Sequence, residues 1–330
     1  MGAPMRRLSD METIQIEITN ACVLQCGNCT RFCGHHKKPY MLDFGAFATA
    51  VDSMAGFPGM VGIMGGEPLL HPQFEAMCTY ALSKIPRDQL GLWTVLPQKF
   101  VRYRETICET FGHIFINDHT RSDIYHAPLL VSAKEVYAKK YPEDPKRAYD
   151  EMWQSIDRCW VQNSWSASIN PHGAFFCEVA AAMSVLFDGP KGWPVEPGWW
   201  KRTPKEYVPQ MEQWCPGCGA SVSLKRRSSQ DETDDVSPDN LERLQLAGSR
   251  KVKQALYQIS DLTITDHPEP MAAYKDTAWR NKVAARYGMF LTINPKRYWE
   301  PHLLDGWDGT LKAEKPSLFA EMTSAYKGEK

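Results

Sequence analysis

The chain has 330 residues, 43% of them hydrophobic, which is enough to bury the core of one large domain or two ordinary ones and excludes disorder throughout. Its 38 Lys and Arg against 39 Asp and Glu leave a net charge of -1, so no global electrostatic pull toward nucleic acid or an anionic membrane exists. No apolar run reaches the roughly 18–20 residues a bilayer needs, and the N-terminus carries Arg6, Arg7, Asp10 and Glu12 in place of an apolar signal core. A soluble, unexported, cytoplasmic protein without nucleic-acid or membrane partners is expected.

From residue 13 to residue 128, short β-rich runs alternate with helical stretches, the rhythm of βα units around a parallel sheet. Residues 13–18 alternate at period two and stop at Thr19-Asn20, which predicts a strand. Helices are predicted over 42–54, 72–85 and 100–111, and strands over 60–64, 90–96 and 113–117. In such folds ligands sit at the C-terminal ends of the strands. After residue 120 the rhythm is lost. Residues 142–158 read as a helix, and 165–169 and 174–177 flank Asn170-Pro-His-Gly173, a hairpin turn. The segment 186–218 is rich in Pro, Gly and Trp, including Trp193, Trp199, Trp200 and Trp214, which predicts irregular structure packed by large rings or a substrate wall. Residues 225–235 read as a solvated, charged connector, and 240–260 and 271–287 as helices. The expected organisation is a core over 1–150, a smaller module over 151–224 and a helical extension over 225–330.

The ten cysteines of an unexported chain are expected to be reduced, and clustered ones to hold metal. Cys22, Cys26 and Cys29 form a C-x3-C-x2-C in the loop after the first strand. Three thiolates at that spacing can ligate three irons of a [4Fe–4S] cube and leave the fourth open. A zinc knuckle is the alternative, with Cys33 or His35 as its fourth ligand. Gly65-Gly66-Glu67-Pro68 follows the second strand, where glycines let backbone approach a ligand.

Taken in order, the three cysteines after the first strand and the GGEP after the second resemble the radical S-adenosylmethionine (AdoMet) superfamily over residues 13 to 130. The resemblance implies a partial (β/α)6 TIM-like barrel, with a [4Fe–4S] cluster on Cys22, Cys26 and Cys29 and AdoMet chelating its open iron. Gly65, Gly66, Glu67 and Pro68 would hold the methionyl amino group. A 5′-deoxyadenosyl radical would then take hydrogen from an unactivated C–H bond. A reducing donor such as flavodoxin or ferredoxin is implied as partner. The family often has an aromatic residue before the third cysteine, and this chain has Asn28. Thr94 and Asn117, at the ends of the third and fourth strands, are AdoMet contacts by position, with ordinary polar strand ends as the alternative.

Cys159, Cys177, Cys215 and Cys218 form a second set, in which Cys215-Pro-Gly-Cys218 is a C-x2-C knuckle. Four thiolates can close a zinc site or ligate a cube at every iron, and spacing does not choose. Their order around the hairpin resembles the Twitch module, a shortened SPASM domain, and implies a second, fully ligated [4Fe–4S] cluster. The function expected is oxidation of a small polar substrate, a sugar or aminocyclitol-like alcohol, with the second cluster accepting an electron. The alternatives are a peptide-modifying enzyme, a radical epimerase, or a non-enzymatic iron–sulfur or zinc protein. Cys78 and Cys108 read as small core residues. Cys33 is a hydrogen donor or a bystander, and His35 to Lys38 a basic loop that is either solvated or anion-binding. His119, Arg121, Asp123 and His126 fall where barrel substrates are read.

Overall fold

The structure is a computed structural model that describes residues 6–95, 102–116, 119, 124–161 and 166–266. Asn117, Arg121, Asp123 and the helix expected over 271–287 lie outside these residues. Strands β1 (Thr13–Thr19), β2 (Met60–Gly65), β3 (Leu90–Thr94) and β4 (His113–Ile116) run parallel and in sequence order. They alternate with helices α1 (Phe44–Ser53), α2 (Phe74–Lys84) and α3 (Arg104–Thr110). Asp43 caps α1 by accepting from the Ala46 amide at 3.0 Å.

Every residue of β1 is buried, so both faces of the strand are covered, as a central parallel strand requires. Ile14, Ile16 and Ile18 alternate along the strand, and the register sets Ile14 against Val61 and Ile16 against Ile63 of β2. Burial of each isoleucine is worth about 1.5–3 kcal/mol. Trp93 lies over Gly62, where a Cβ would come within 2.4 Å of the indole. The same indole stacks on Phe115 at 4.1 Å.

The chain continues through β5 (Tyr125–His126), α4 (Ala133–Lys140) and α5 (Pro145–Ile156). The expected hairpin is present as β6 (Ser166–Asn170) and β7 (Gly173–Phe175). Its position alters the expected barrel: β6 pairs in parallel with the free side of β1, giving the order β4-β3-β2-β1-β6-β7. Among the described residues the sheet is therefore open and dominated by parallel pairs. Its sixth and fifth members come from a hairpin in place of two further βα units. Helix α6 (Glu178–Leu186) follows the hairpin, and α7 (Pro204–Trp214) begins with a Thr203/Glu206 capping box. Trp199, Trp200 and Trp214 are buried, so these rings act as packing.

Two expectations for the C-terminal part are corrected. The segment over 225–235 is not a solvated connector: Arg227–Ser228 forms β8 against β5, and Asp234–Val236 forms β9 with Asp234 fully buried. The helix over 240–260 is broken. It comprises α8 (Pro238–Leu246), Gly248 at φ +67°, the short α9 (Arg250–Lys253) and strand β10 (Tyr257–Ile259) parallel to β9. The left-handed glycine ends α8, and Ser249 caps α9 by accepting from the Val252 amide at 3.2 Å. No helix among the described residues is long and apolar enough to cross a membrane.

Candidate active site

The loop after β1 carries Cys22, Cys26 and Cys29 to the C-terminal edge of the sheet. There they line one cavity together with Cys33, Gly65, Gly66, Thr94 and His119. All ten cysteines are free thiols. The glycines are placed by close backbone approach. A Cβ on Gly65 would lie 2.0 Å from the Thr19 carbonyl oxygen, and one on Gly66 2.1 Å from that of Ala21. Amides of Gly66 and Glu67 donate to those same two carbonyls, at 2.8 and 2.7 Å, and so tie the GGEP turn to the cysteine loop.

Glu67 uses its carboxylate internally. Its oxygens accept from the Thr94 hydroxyl at 2.7 Å, the Val95 amide at 2.9 Å and the Leu69 amide at 3.0 Å. The motif thus presents backbone to the cavity, and its acid braces the end of β3. Pro68 opens a buried 3-10 turn behind it. Thr94 lines the cavity while bound to Glu67.

The thiols differ in their electrostatics. Burial, reinforced by Cys29 and Cys22, pushes the Cys26 thiol well up. Cys29 is brought down to about 5, chiefly by a hydrogen bond from Cys33. Cys33 itself is pushed up by hydrogen bonds to Cys22 and Cys29 and by burial, so it is a close neighbour of two of the three cysteines. Ionising thiols crowded in this way calls for cationic partners. No three Cys, His, Asp or Glu among the described residues converge on a point suited to a single ion. A cube distributes its irons to separate thiolates around a cavity, so the donor set fits a [4Fe–4S] group.

His119 and His126 complete one wall. The His119 Nδ1 lies 3.8 Å from the Cys26 sulfur, and its ring meets that of His126 edge-on at 4.6 Å. Burial lowers both side chains' pKa and so favours their neutral forms. His126 places Nδ1 2.8 Å from the Gly27 carbonyl; a carbonyl only accepts, so Nδ1 carries the proton and Nε2 is the acceptor. His35 and His36 are buried, not part of a solvated loop, whereas Lys37 and Lys38 are exposed.

Cys159, Cys177, Cys215 and Cys218 are brought together around a second, largely apolar cavity between the end of α5, the start of α6 and the end of α7. Burial and the neighbouring Cys159 push the Cys177 thiol up to about 12. Burial and the other three cysteines push Cys215 well above the usual thiol range. Four thiols lining one largely apolar cavity, each costly to ionise alone, fit a closed metal group. Cys78 is buried in α2, and Cys108 packs against the core from α3.

The residues that sequence reasoning missed lie on the segment from β8 to α9. Asn28, at φ +50°, is held on this segment: its amide nitrogen donates to Asp235 at 2.8 Å and its oxygen accepts from the Asp235 amide at 2.8 Å. Asparagine tolerates the left-handed conformation that this position requires. The Gly27 amide donates to the Ser229 carbonyl at 2.9 Å. A Cβ there would lie 2.8 Å from the Thr233 carbonyl oxygen.

No family model matches the chain. No curated protein matches it. Among solved structures it is similar to BtrN in its complex with AdoMet and 2-DOIA, with a TM-score of 0.35 and 18% identity, over 51% of this chain and 74% of that chain.

Proposed function

We propose that this chain is a radical AdoMet enzyme that oxidises an unactivated C–H bond of a small polar alcohol, sugar- or aminocyclitol-like. The observation that carries the reading is the convergence of Cys22, Cys26 and Cys29 with the Gly65-Gly66 backbone on one cavity. When bound, an open-iron [4Fe–4S] cube and AdoMet supply the 5′-deoxyadenosyl radical. Cys22, Cys26 and Cys29 would hold three irons, and Gly65 and Gly66 would let backbone reach the methionyl amino group. Glu67 keeps that backbone in position through Thr94 and Val95. His126 has its Nδ1 proton committed to Gly27, and its Nε2 is available to accept the substrate's hydroxyl proton. Cys159, Cys177, Cys215 and Cys218 would hold a second cube at all four irons, a group whose chemistry is to take up one electron.

The reading is tested by iron content and product mass. Protein reconstituted without oxygen should hold about eight irons, and Cys215→Ala with Cys218→Ala should hold about four. That variant should still cleave AdoMet and form no product lighter by two hydrogens. Zinc at the second site would remove the electron acceptor and the assignment of oxidation.

A second reading, epimerisation, is favoured by one observation: the Cys33 thiol lines the same cavity. A thiol there can return a hydrogen atom to a substrate radical. Product of unchanged mass in ordinary water, carrying one deuteron in heavy water and lost with Cys33→Ala, would select it.

A further inference from the structure

Lys251 is fully buried, and its ammonium donates to the Cys26 carbonyl at 2.8 Å and to the Asp234 carboxylate at 3.0 Å. Its stem crosses the cysteine loop at Gly34, where any Cβ would lie 2.5 Å from the Lys251 Cε. Asp234, also buried, takes in three donors. They are Lys251, the Asn28 amide, and His35 through Nε2 at 2.5 Å. The other nitrogen of His35 meets the Ser249 hydroxyl at 2.7 Å, and the His35 carbonyl accepts from the Arg250 amide at 3.0 Å. The loop is thus threaded by one lysine and pinned from both sides by residues over 200 positions away in sequence from Cys26.

Placing an ammonium in the interior is costly unless it is paired, and an apolar pair of similar volume would often pack as stably. The arrangement therefore calls for a reason beyond stability. It sets a full positive charge in hydrogen-bond contact with the peptide group of one cluster ligand, and a negative charge one step farther out. Reduction potentials of iron–sulfur clusters respond to nearby charge and hydrogen bonding.

We propose that Lys251 and Asp234 are positioning residues that latch Cys26-Gly27-Asn28 and tune the reduction potential of a cluster on Cys22, Cys26 and Cys29. The inference rests on the iron–sulfur reading above and goes beyond it by assigning a role to the chain after Cys218. Lys251 favours the reduced, more negative cluster, and Asp234 tempers that effect.

The test is an EPR-monitored redox titration of the anaerobically reconstituted full chain, following the cluster signal that changes when AdoMet is added. Lys251→Met should move the midpoint to more negative potential, Asp234→Asn to more positive potential, and Lys251→Arg should restore the wild-type value. Iron content provides a second readout: Lys251→Met should retain less iron at the first site than Lys251→Arg. Should Lys251→Met hold no cluster while Lys251→Arg does, the latch is supported, and the shift in Asp234→Asn decides the tuning. Midpoints that move together, or not at all, overturn the inference. A wild type without an AdoMet-sensitive signal overturns the underlying reading and the inference with it.

Discussion

Arg31, two residues past Cys29, holds Glu178, the residue after Cys177, at 3.0 Å. The same guanidinium reaches Glu17 on β1 at 2.7 Å, and all three side chains are buried. One ionic bridge thus joins the loop of the first cysteine set to the helix that begins beside the second. Burial alone would weaken the Arg31 charge, but Glu178 and Glu17 outweigh it and keep the guanidinium firmly protonated. Glu17 is further fixed by the Ser168 hydroxyl at 2.8 Å, so β6 shares in the contact.

Arg31→Leu would leave Glu17 and Glu178 buried without their common cation. Removing one partner of a buried pair costs about 3–5 kcal/mol. Anaerobic guanidinium unfolding should therefore show a midpoint well below wild type, with Arg31→Lys between the two. A leucine variant as stable as wild type would mean that the bridge carries no structural weight.

The GGEP turn makes a graded prediction. Gly65→Ala forces a Cβ against the Thr19 carbonyl, and overpacking of this kind costs about 1–3 kcal/mol or more. Glu67→Gln turns one acceptor into a donor facing the Val95 or Leu69 amide, at about 1–3 kcal/mol. Thr94→Val removes one hydroxyl donor to a carboxylate that keeps two others. AdoMet binding by equilibrium dialysis should fall most in Gly65→Ala and least in Thr94→Val. The reverse order would contradict a backbone role for the motif.

Acid should act through His36. Burial, with the neighbouring His35 and Arg250 charges, lowers its pKa to about 4, against an ordinary value of 6.5. Unfolded His36 binds a proton as pH falls below 6.5, while the native side chain stays neutral until about 4. Stability is thus fully present above 6.5 and is lost through that window, on the order of 3 kcal/mol in all. Unfolding measured from pH 7.5 downward should show wild type losing more stability than His36→Gln. Parallel curves would show that His36 does not titrate in this way.

Local features were legible in the sequence. Period-two alternation marks β1, and the spacings of Cys22, Cys26 and Cys29 and of Cys215 and Cys218 are readable because each set spans a single turn or loop. The convergence of Cys159 and Cys177 on that knuckle follows from the hairpin between them. The return of the chain to the first loop was not legible. Asp234 and Lys251 look like solvent-facing charges in a run of polar residues, and their burial depends on contacts across about 200 positions. Three signals lay in plain view nevertheless. Gly27 and Gly34 leave the space that the returning segment fills, and Asn28 supplies the left-handed turn it grips. Gly248-Ser249 marked the break in the helix expected over 240–260. The placement of β6 beside β1, in place of a further βα unit, is a tertiary choice that no local pattern announces.

The most direct measurement is 5′-deoxyadenosine formation by the reduced, anaerobically reconstituted chain given AdoMet. Wild type should release 5′-deoxyadenosine and methionine, and the Cys22→Ala, Cys26→Ala, Cys29→Ala triple variant should release none. Equal release from both proteins, or none from a wild type loaded with iron, would contradict the radical AdoMet reading.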